Sequence, residues 1–230
     1  MNPRDFLLHE DAHVLAFDKP AGLAVQGGAG VTQSLELMLA AFAKSNGKRP
    51  RLVHRLDRET SGLIIAAHTK PAAAFLSQAF AERRVAKTYL AIVCGGAPAP
   101  AEGEIEIPLR KINRNGVDLM ECASPEQAGA LAARTRYRTL STAEGAALLE
   151  LSPETGRMHQ LRAHLAAIGR PIAGDGKYGG LFAVSGVEMP RLMLHAAALR
   201  FPHPAGGECV LEAPPPAAFR EAAHALGLTL

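Results

Sequence analysis

The stretch from His54 to Leu63 constrains this chain more than any other, and its sequence is H-R-L-D-R-E-T-S-G-L. Asp57 stands between Arg55 and Arg58, and the apolar run that follows, to residue 67, indicates a buried strand. One carboxylate is thus set on a short polar turn where a strand begins. The flanking positive charges favour its ionised form, which can act as nucleophile, general base or metal ligand. A structural carboxylate that caps the turn and pairs with Arg58 fits the same local pattern.

The composition is that of a globular chain with a mild basic excess. Hydrophobic residues make up 48%, charged residues 20%, and the formal net charge is +3 over 230 residues. No apolar run is long enough for a transmembrane helix, and the first residues lack the apolar core of a secretion signal. Three scattered cysteines predict free thiols in a reducing cytoplasm. The charge is compatible with a nucleic-acid partner without demonstrating one.

Apolar spacing and turn residues predict strands and helices along most of the chain. The predicted helices cover residues 32–44 with Thr32 as N-cap, 70–84 with Thr69 as N-cap, 158–168 with a stop at Gly169, and 219–228. The predicted strands cover residues 13–17, 63–67, 85–94, 132–140, 146–151, 191–201 and 210–213, and Asn115-Gly116 predicts a hairpin turn.

A second dense region begins at Thr155 with T-G-R-M-H-Q-L-R-A-H, on the helix predicted over 158–168. Helical spacing allows Arg162 to point away from the core. His159 and His164 are five residues apart, so they do not share the helix face that a zinc motif needs. Further on, G-D-G-K-Y-G at residues 174–179 matches a dinucleotide fingerprint, but it lacks the strand-turn-helix context. A nucleotide-dependent oxidoreductase built on this segment stays an alternative function, and a test of NAD binding would address it.

The string at 54–63 resembles the core motif of the RluA-type RNA pseudouridine synthases, H-R-L-D-x-x-T-S-G-L, and every fixed position is filled. The chain departs from the family at Gln26, where members often carry histidine, and at Ala218, where they often carry an acid. The resemblance covers roughly residues 13–219. Further segments resemble family motifs in the expected order: K-P-x-G-x-x-V at 19–25, K-x-Y-x-A at 87–91, T-G-R-x-H-Q-x-R-x-H at 155–164, and L-H-A-x-x-L-x-F-x-H-P at 194–204.

The resemblance implies an α+β fold. We expect a single pseudouridine synthase catalytic domain over residues 1–230, with its core at roughly 13–219. Its mixed, largely antiparallel sheet would carry flanking helices and a central RNA-binding cleft. Many family members add an N-terminal S4-like RNA-binding module, and none is expected here.

The resemblance also implies the activity. The chain would isomerise specific uridines to pseudouridine in structured RNA, either large-subunit ribosomal RNA or transfer RNA. It would need no metal or nucleotide cofactor, and it would act as a cytoplasmic monomer without a membrane partner. A catalytically silent RNA-binding or ribosome-assembly protein on the same fold is the alternative, and a turnover assay separates the two.

Site residues follow from the matched motifs. Asp57 would be the essential nucleophile or base, Arg162 would form an ion pair with it, and Tyr89 would contact the target base. Basic segments at 44–51 and 110–114 would hold phosphates without selecting sequence. The remaining substrate-binding candidates are Arg55, His54, Thr60, Arg157, His159 and Gln160.

Overall fold

Antiparallel strand pairs and four short α-helices make up the described part of the chain, which in this computed structural model is residues 1–28, 32–43 and 47–230. The strands are β1 (Leu7–Glu10), β2 (Val14–Lys19), β3 (Arg51–Leu52), β4 (Ser61–Ala67), β5 (Ala86–Cys94), β6 (Glu102–Glu106), β7 (Leu109–Arg114), β8 (Val117–Cys122), β9 (Arg134–Ala143), β10 (Ala146–Pro153), β11 (Ala183–Val184), β12 (Val187–Glu188), β13 (Leu194–Pro202) and β14 (Glu208–Glu212). The helices are α1 (Leu35–Met38), α2 (Lys70–Ala81), α3 (Gln160–Ala167) and α4 (Ala217–Ala225), with 3-10 turns at Pro3–Phe6 and Leu39–Phe42. The predicted α+β class is confirmed.

The described residues form two compact units. Unit 1 contains Met1–Lys87 and Ala196–Pro214, and unit 2 contains Thr88–His195 and Pro215–Leu230. The boundaries fall within β5 and β13. The expectation of a single domain over residues 1–230 stays a prediction.

Unit 1 is built around β4, whose residues are all buried, as the apolar run predicted. Its strand order is β1-β2-β4-β13, with β3 paired to β4 and β14 paired to β13. Helix α2 packs Leu76 and Ala79 into the same core as Leu63 of β4. The Thr69 hydroxyl caps this helix by accepting from the backbone N–H of Ala72 at 3.3 Å, which confirms the predicted cap.

The helix predicted over residues 32–44 is shorter and begins later than expected. Ser34, not Thr32, is its N-cap, because the Ser34 hydroxyl accepts from the backbone N–H of Leu37 at 3.3 Å. After one α-helical turn the chain tightens into the 3-10 turn at Leu39–Phe42. Lys44 lies outside the described residues. Four apolar side chains of this segment are buried, at Leu35, Met38, Leu39 and Phe42.

Unit 2 has the strand order β5-β10-β9-β6, and each of these pairs is antiparallel. Its core contains the buried faces of β5 and β10, together with Leu161 and Leu165 of α3 and Phe219 of α4. The separate β7–β8 hairpin turns at Asn115 and Gly116, which have φ values of 53° and 80°. Two successive residues with positive φ are what the predicted Asn-Gly hairpin turn requires.

Helix α3 begins at Gln160, two positions after the predicted start at Met158. His159 has a left-handed backbone with φ 51°, so the helix cannot extend back through it. At the other end Gly169 has φ 70°, which confirms the predicted stop.

Candidate active site

Asp57 opens a tight turn, residues 57–60, which we call the aspartate turn. Its carbonyl accepts from the backbone N–H of Thr60 at 3.2 Å. Asp57 is half-buried, whereas Thr60 is only 2% exposed and leads directly into β4. The structure confirms that the carboxylate lies on a short turn where a buried strand begins.

The buried Lys19 holds the aspartate turn through hydrogen bonds to backbone carbonyls. Lys19 is fully buried, and its ammonium donates to the carbonyls of Pro20, Leu23 and Arg58 at 2.9–3.0 Å. Two further bonds join the same segments, from the Gly22 N–H to the Arg58 carbonyl at 2.9 Å and from Arg58 Nε to the Gly22 carbonyl at 3.0 Å. Because a buried ammonium is costly unless its donors are satisfied, these carbonyls and Lys19 depend on each other. The K-P-x-G segment therefore serves as the support of the turn.

The structure explains why the T-S-G-L part of the motif has a glycine at position 62. Its φ is +108°, and a Cβ at this position would lie 2.2 Å from the carbonyl oxygen of Ala196. Only glycine fits both the backbone conformation and the close approach of the neighbouring strand β13.

His54 makes structural contacts three residues before Asp57. Its Nε2 accepts from the backbone N–H of Ile65 at 2.9 Å, and its ring stacks on Phe80 with centroids 4.5 Å apart. Desolvation, and then the charge of Lys87, lowers the pKa of His54 to about 3. The imidazole is therefore neutral near pH 7, and a contact with substrate stays a prediction. Desolvation also lowers the pKa of Lys87, to about 8, with help from the charge of Arg83.

A pocket of about 190 Å³ lies beside the aspartate turn. Arg55, Leu56 and Arg58 line one side, and residues 24–27 line the other. Both arginines are exposed, so the pocket carries positive charge at its mouth. Gln26, the position where this chain departs from the family pattern, is part of this lining.

Arg162 lies in unit 2, held by a carboxylate that the sequence analysis did not single out. Its Nε and Nη2 donate to the two oxygens of Asp175 at 2.7 and 2.6 Å. Arg162 is 4% exposed and Asp175 1%, so both members of the pair are buried, while the apolar core of the unit contains Leu161 and Leu165 of the same helix. The bidentate pair satisfies a guanidinium that would otherwise be costly to bury. The predicted ion pair with Asp57 would join residues of different units, and it stays a prediction.

The glycine-rich segment at 174–179 builds the turn that presents Asp175. Gly174 has φ +74°, and a Cβ there would lie 1.9 Å from the carbonyl oxygen of Arg191. Asp175 Oδ1 also accepts from the backbone N–H of Lys177 at 3.0 Å. The segment forms turns and opens no helix, so the context of a dinucleotide site is missing. The G-D-G-K-Y-G segment, which contains Asp175, was the signal in the sequence that could have identified this residue.

Gln160 is 4% exposed, and protein groups occupy its whole amide. Its Oε1 accepts from the Thr155 hydroxyl at 2.6 Å and the Arg157 N–H at 3.1 Å. Its Nε2 donates to the Arg134 carbonyl at 2.9 Å and the Thr135 hydroxyl at 3.0 Å. An amide can make four such bonds, so the geometry favours a structural role over the predicted substrate contact.

Tyr89 and Arg157 are half-buried in unit 2. Tyr89 lies on β5 opposite Leu151 of β10, and it packs against the core of the unit. Arg157 donates through Nε to the Ala132 carbonyl at 3.1 Å. Their contacts with RNA stay predictions.

The two basic segments both carry exposed cations. On the β7–β8 hairpin, Arg110 pairs with Glu121, and Lys111 pairs with Asp118 at 2.6 Å. These carboxylates weaken the expectation that both cations hold phosphates. In the described part of the first segment, Lys48, Arg49 and Arg51 are exposed.

Among residues 1–28, 32–43 and 47–230 no cluster of three or more His, Cys, Asp and Glu side chains has metal-binding geometry. Within the same residues no helix has the length and apolarity required to cross a bilayer.

Comparison with known proteins identifies the family. A family model described as RNA pseudouridylate synthase matches residues 13–167, which is more than half of the chain. The ribosomal large subunit pseudouridine synthase C of Escherichia coli K12 is 36% identical over 217 residues, which cover 91% of this chain and 66% of that protein. The mitochondrial pseudouridylate synthase RPUSD4 of Xenopus tropicalis is 36% identical, with 94% of this chain and 78% of that protein covered. The chain belongs to the RNA pseudouridylate synthase family.

Solved structures of pseudouridylate synthases have a similar fold. Human RNA pseudouridylate synthase domain containing 4 superposes with a TM-score of 0.85 at 29% identity, covering 99% of this chain and 95% of that one. Human RNA pseudouridylate synthase domain containing 1 gives a TM-score of 0.73 at 28% identity, covering 92% and 83%. The chain spans about two thirds of the length of the Escherichia coli relative.

Proposed function

We propose that this protein isomerises uridine to pseudouridine in large-subunit ribosomal RNA, with Asp57 as the essential carboxylate. The observation that carries the proposal is the aspartate turn, which presents a half-buried carboxylate on a support made by the fully buried Lys19. Such a support fixes the position of a reacting group before substrate arrives, which is how enzymes lower the entropic part of a barrier.

The reaction rearranges one nucleotide without redox change. The glycosidic bond between N1 and C1′ breaks, the uracil rotates, and a bond forms between C5 and C1′. The C5 proton is lost and N1 becomes protonated, so atoms and charge balance without a co-reactant. Asp57 would act as nucleophile or base, and Tyr89 would contact the base and assist removal of the C5 proton. Arg162 would stabilise the ionised form of Asp57.

The substrate uridine must leave its stack, at a cost of a few kcal/mol. The pocket beside the aspartate turn supports this step, because Arg55 and Arg58 bring two positive charges next to Asp57. We propose that Arg55 fills the gap left by the everted nucleotide and that Arg58 meets a backbone phosphate. The exposed cations at residues 48–51 would add contacts to phosphates that do not depend on sequence.

The similarity to a ribosomal large subunit pseudouridine synthase of Escherichia coli favours ribosomal RNA over transfer RNA. We further propose that the enzyme acts as a cytoplasmic monomer without metal or nucleotide. Size-exclusion chromatography with light scattering tests the oligomeric state. Turnover of protein treated with a chelator tests the need for metal.

Mapping pseudouridine across total RNA, from cells with and without this gene, tests the activity and identifies the target. We expect the loss of one or a few pseudouridines in large-subunit ribosomal RNA, restored by the wild-type gene and not by one carrying Asp57→Asn. Loss confined to transfer RNA would correct the substrate. An unchanged map, together with no turnover by the purified protein on RNA from the deleted strain, would favour the catalytically silent alternative.

A further inference from the structure

The chain leaves helix α2 through an arginine whose backbone lies in the left-handed region. Arg83 has φ 59°. Its N–H donates to the Phe80 carbonyl at 3.2 Å, and the Arg84 N–H donates to the Ala79 carbonyl at 2.9 Å. These two bonds make a Schellman motif, in which the left-handed residue is usually glycine because a side chain there is strained. The backbone after α2 therefore favours a residue other than arginine at position 83.

The ends of helices α3 and α4 show the usual choice. Gly169 after α3 and Gly227 after α4 have φ values of 70° and 74°. Each is followed by a residue whose N–H donates to the carbonyl five positions earlier, at 2.9 and 2.8 Å. This hydrogen-bond pattern is the same as the one at the end of α2. The local backbone therefore does not explain why position 83 carries an arginine.

The side chain of Arg83 is exposed. Within the part of the chain that the structure describes, its guanidinium makes no hydrogen bond or ion pair. The adjacent Glu82 is engaged elsewhere, since its carboxylate accepts from Arg84 Nε at 2.8 Å and from the Gln78 amide at 2.7 Å. The helix dipole favours a cation near this end, but Arg84 already supplies one. The charge of Arg83 is thus left for an anion from outside the chain.

A second cation lies near Arg83. Desolvation, and then the charge of Arg83, lowers the pKa of Lys87 to about 8. Desolvation, and then the charge of Lys87, lowers the pKa of His54. Charges act on each other in this way only at short range, because water and salt screen distant charges. Arg83 and Lys87 therefore form a pair of like charges close to His54, which precedes Asp57 by three residues.

We propose that Arg83, with Lys87 beside it, binds a backbone phosphate of the RNA substrate, an inference that rests on the proposed function. Two neighbouring cations repel each other, and a bound phosphate relieves that repulsion. The planar guanidinium of an arginine can also donate to two phosphate oxygens at once. Position 83 keeps an arginine in a destabilising backbone conformation because the side chain serves binding.

Arg83→Gly separates stability from binding, because the two should change in opposite directions. Removing the strained side chain should raise the urea midpoint of unfolding by about 0.3 M. Affinity for a fluorescein-labelled RNA hairpin with uridines in its loop should fall ~5-fold, and the slope of log affinity against log salt should decrease by about 1. A residue with only a structural role would not give these opposite signs.

Two control variants separate a local contact from a general effect of charge. Arg83→Lys keeps the charge and the strained backbone, so the urea midpoint and the salt slope should stay close to those of the wild type. Arg84→Gln removes the same charge one residue away, from a guanidinium that pairs with Glu82 at 2.8 Å, and it should leave the salt slope unchanged.

Equal losses of slope in Arg83→Gly and Arg84→Gln would overturn the inference, because they would show an effect of net charge alone. An Arg83→Gly protein with the RNA affinity of the wild type, or with a lower urea midpoint, would overturn it as well. Binding is measured without turnover. A wild-type protein that binds the hairpin through Arg83 and yet forms no pseudouridine in any RNA would therefore overturn the proposed function and leave the phosphate contact standing.

Discussion

The aspartate turn and helix α3 hold their charged side chains in different ways. In unit 1 the ammonium of Lys19 donates to three backbone carbonyls, one of them in the turn that carries the half-buried Asp57. In unit 2 the guanidinium of Arg162 is positioned directly by the carboxylate of Asp175. The hydrogen bonds of Lys19 hold a backbone segment, whereas the ion pair with Asp175 commits two donors of the Arg162 side chain itself.

This difference predicts that disrupting the Arg162–Asp175 ion pair lowers the free energy of unfolding more than removing the Lys19 ammonium does. Asp175→Asn removes the charge opposite the buried guanidinium of Arg162, and we expect unfolding free energy to fall by about 3 kcal/mol. Urea denaturation measures the loss. Glu208→Ala is the control, because Glu208 pairs with Arg200 on the surface and should cost less than about 1 kcal/mol. Equal losses in the two variants would contradict the account of the buried pair.

Replacement of the buried Lys19 tests how strongly its hydrogen bonds to backbone carbonyls hold the aspartate turn. Lys19→Met leaves the carbonyls of Pro20, Leu23 and Arg58 without their shared donor, so we expect about 2 kcal/mol of destabilisation. Turnover should fall ~100-fold at unchanged RNA affinity, because the position of the aspartate turn changes while the exposed cations remain. Lys70→Met, at an exposed position on α2, should change neither quantity. A stable Lys19→Met protein with normal turnover would show that the turn holds itself.

The pH dependence of stability probes the same region through His54. The unfolded imidazole binds a proton near pH 6.5, whereas the folded one does so only near pH 3. Between these values the unfolded state carries more protons, so stability falls as pH falls, by up to about 1.4 kcal/mol per pH unit from this residue. His54→Gln keeps an acceptor for the Ile65 N–H and should lose this part of the slope. Urea midpoints measured from pH 7 to pH 4 compare the two proteins, and parallel curves would contradict a neutral His54.

The smallest expected effect concerns the β7–β8 hairpin. Arg114 is exposed at its tip, whereas Arg110 is paired with Glu121. Arg114→Ala should weaken RNA binding by less than about 1 kcal/mol and reduce the slope of log affinity against log salt by about 1, as expected for one lost phosphate contact. The double variant Arg110→Ala with Glu121→Ala, which keeps net charge, should leave the slope unchanged. Identical slopes for all three proteins would exclude this hairpin from the RNA contact.

Local patterns predicted residues 57–81 better than the start of α3, and the reason is physical. Turn, strand and cap signals at residues 57–81 involve neighbours in sequence, and the buried strand and the Thr69 cap were confirmed. The start of α3 was misplaced because the left-handed backbone of His159 depends on tertiary contacts. Asp175 reaches Arg162 from beyond the end of the helix, so helical spacing alone could not identify it.

The same limit applies to the cap of α1. Thr32 and Ser34 are both acceptable N-cap residues, and sequence alone offers no way to choose between them. In the structure the backbone N–H groups of Leu35 and Glu36 donate to the carbonyls of Ala24 and Val25, and these contacts are not visible in the sequence. The alignment of family motifs predicted the α+β class, but it carried no information on the hydrogen bonds that occupy Gln160.

Single-turnover formation of pseudouridine by Asp57→Asn tests the central claim most directly. The substitution keeps the size of the side chain and removes its charge, and the aspartate turn is closed by a backbone bond that it does not touch. We predict no detectable product in the variant, with RNA affinity and unfolding free energy close to those of the wild type. Product formed at a measurable fraction of the wild-type rate would show that the reaction does not depend on this carboxylate.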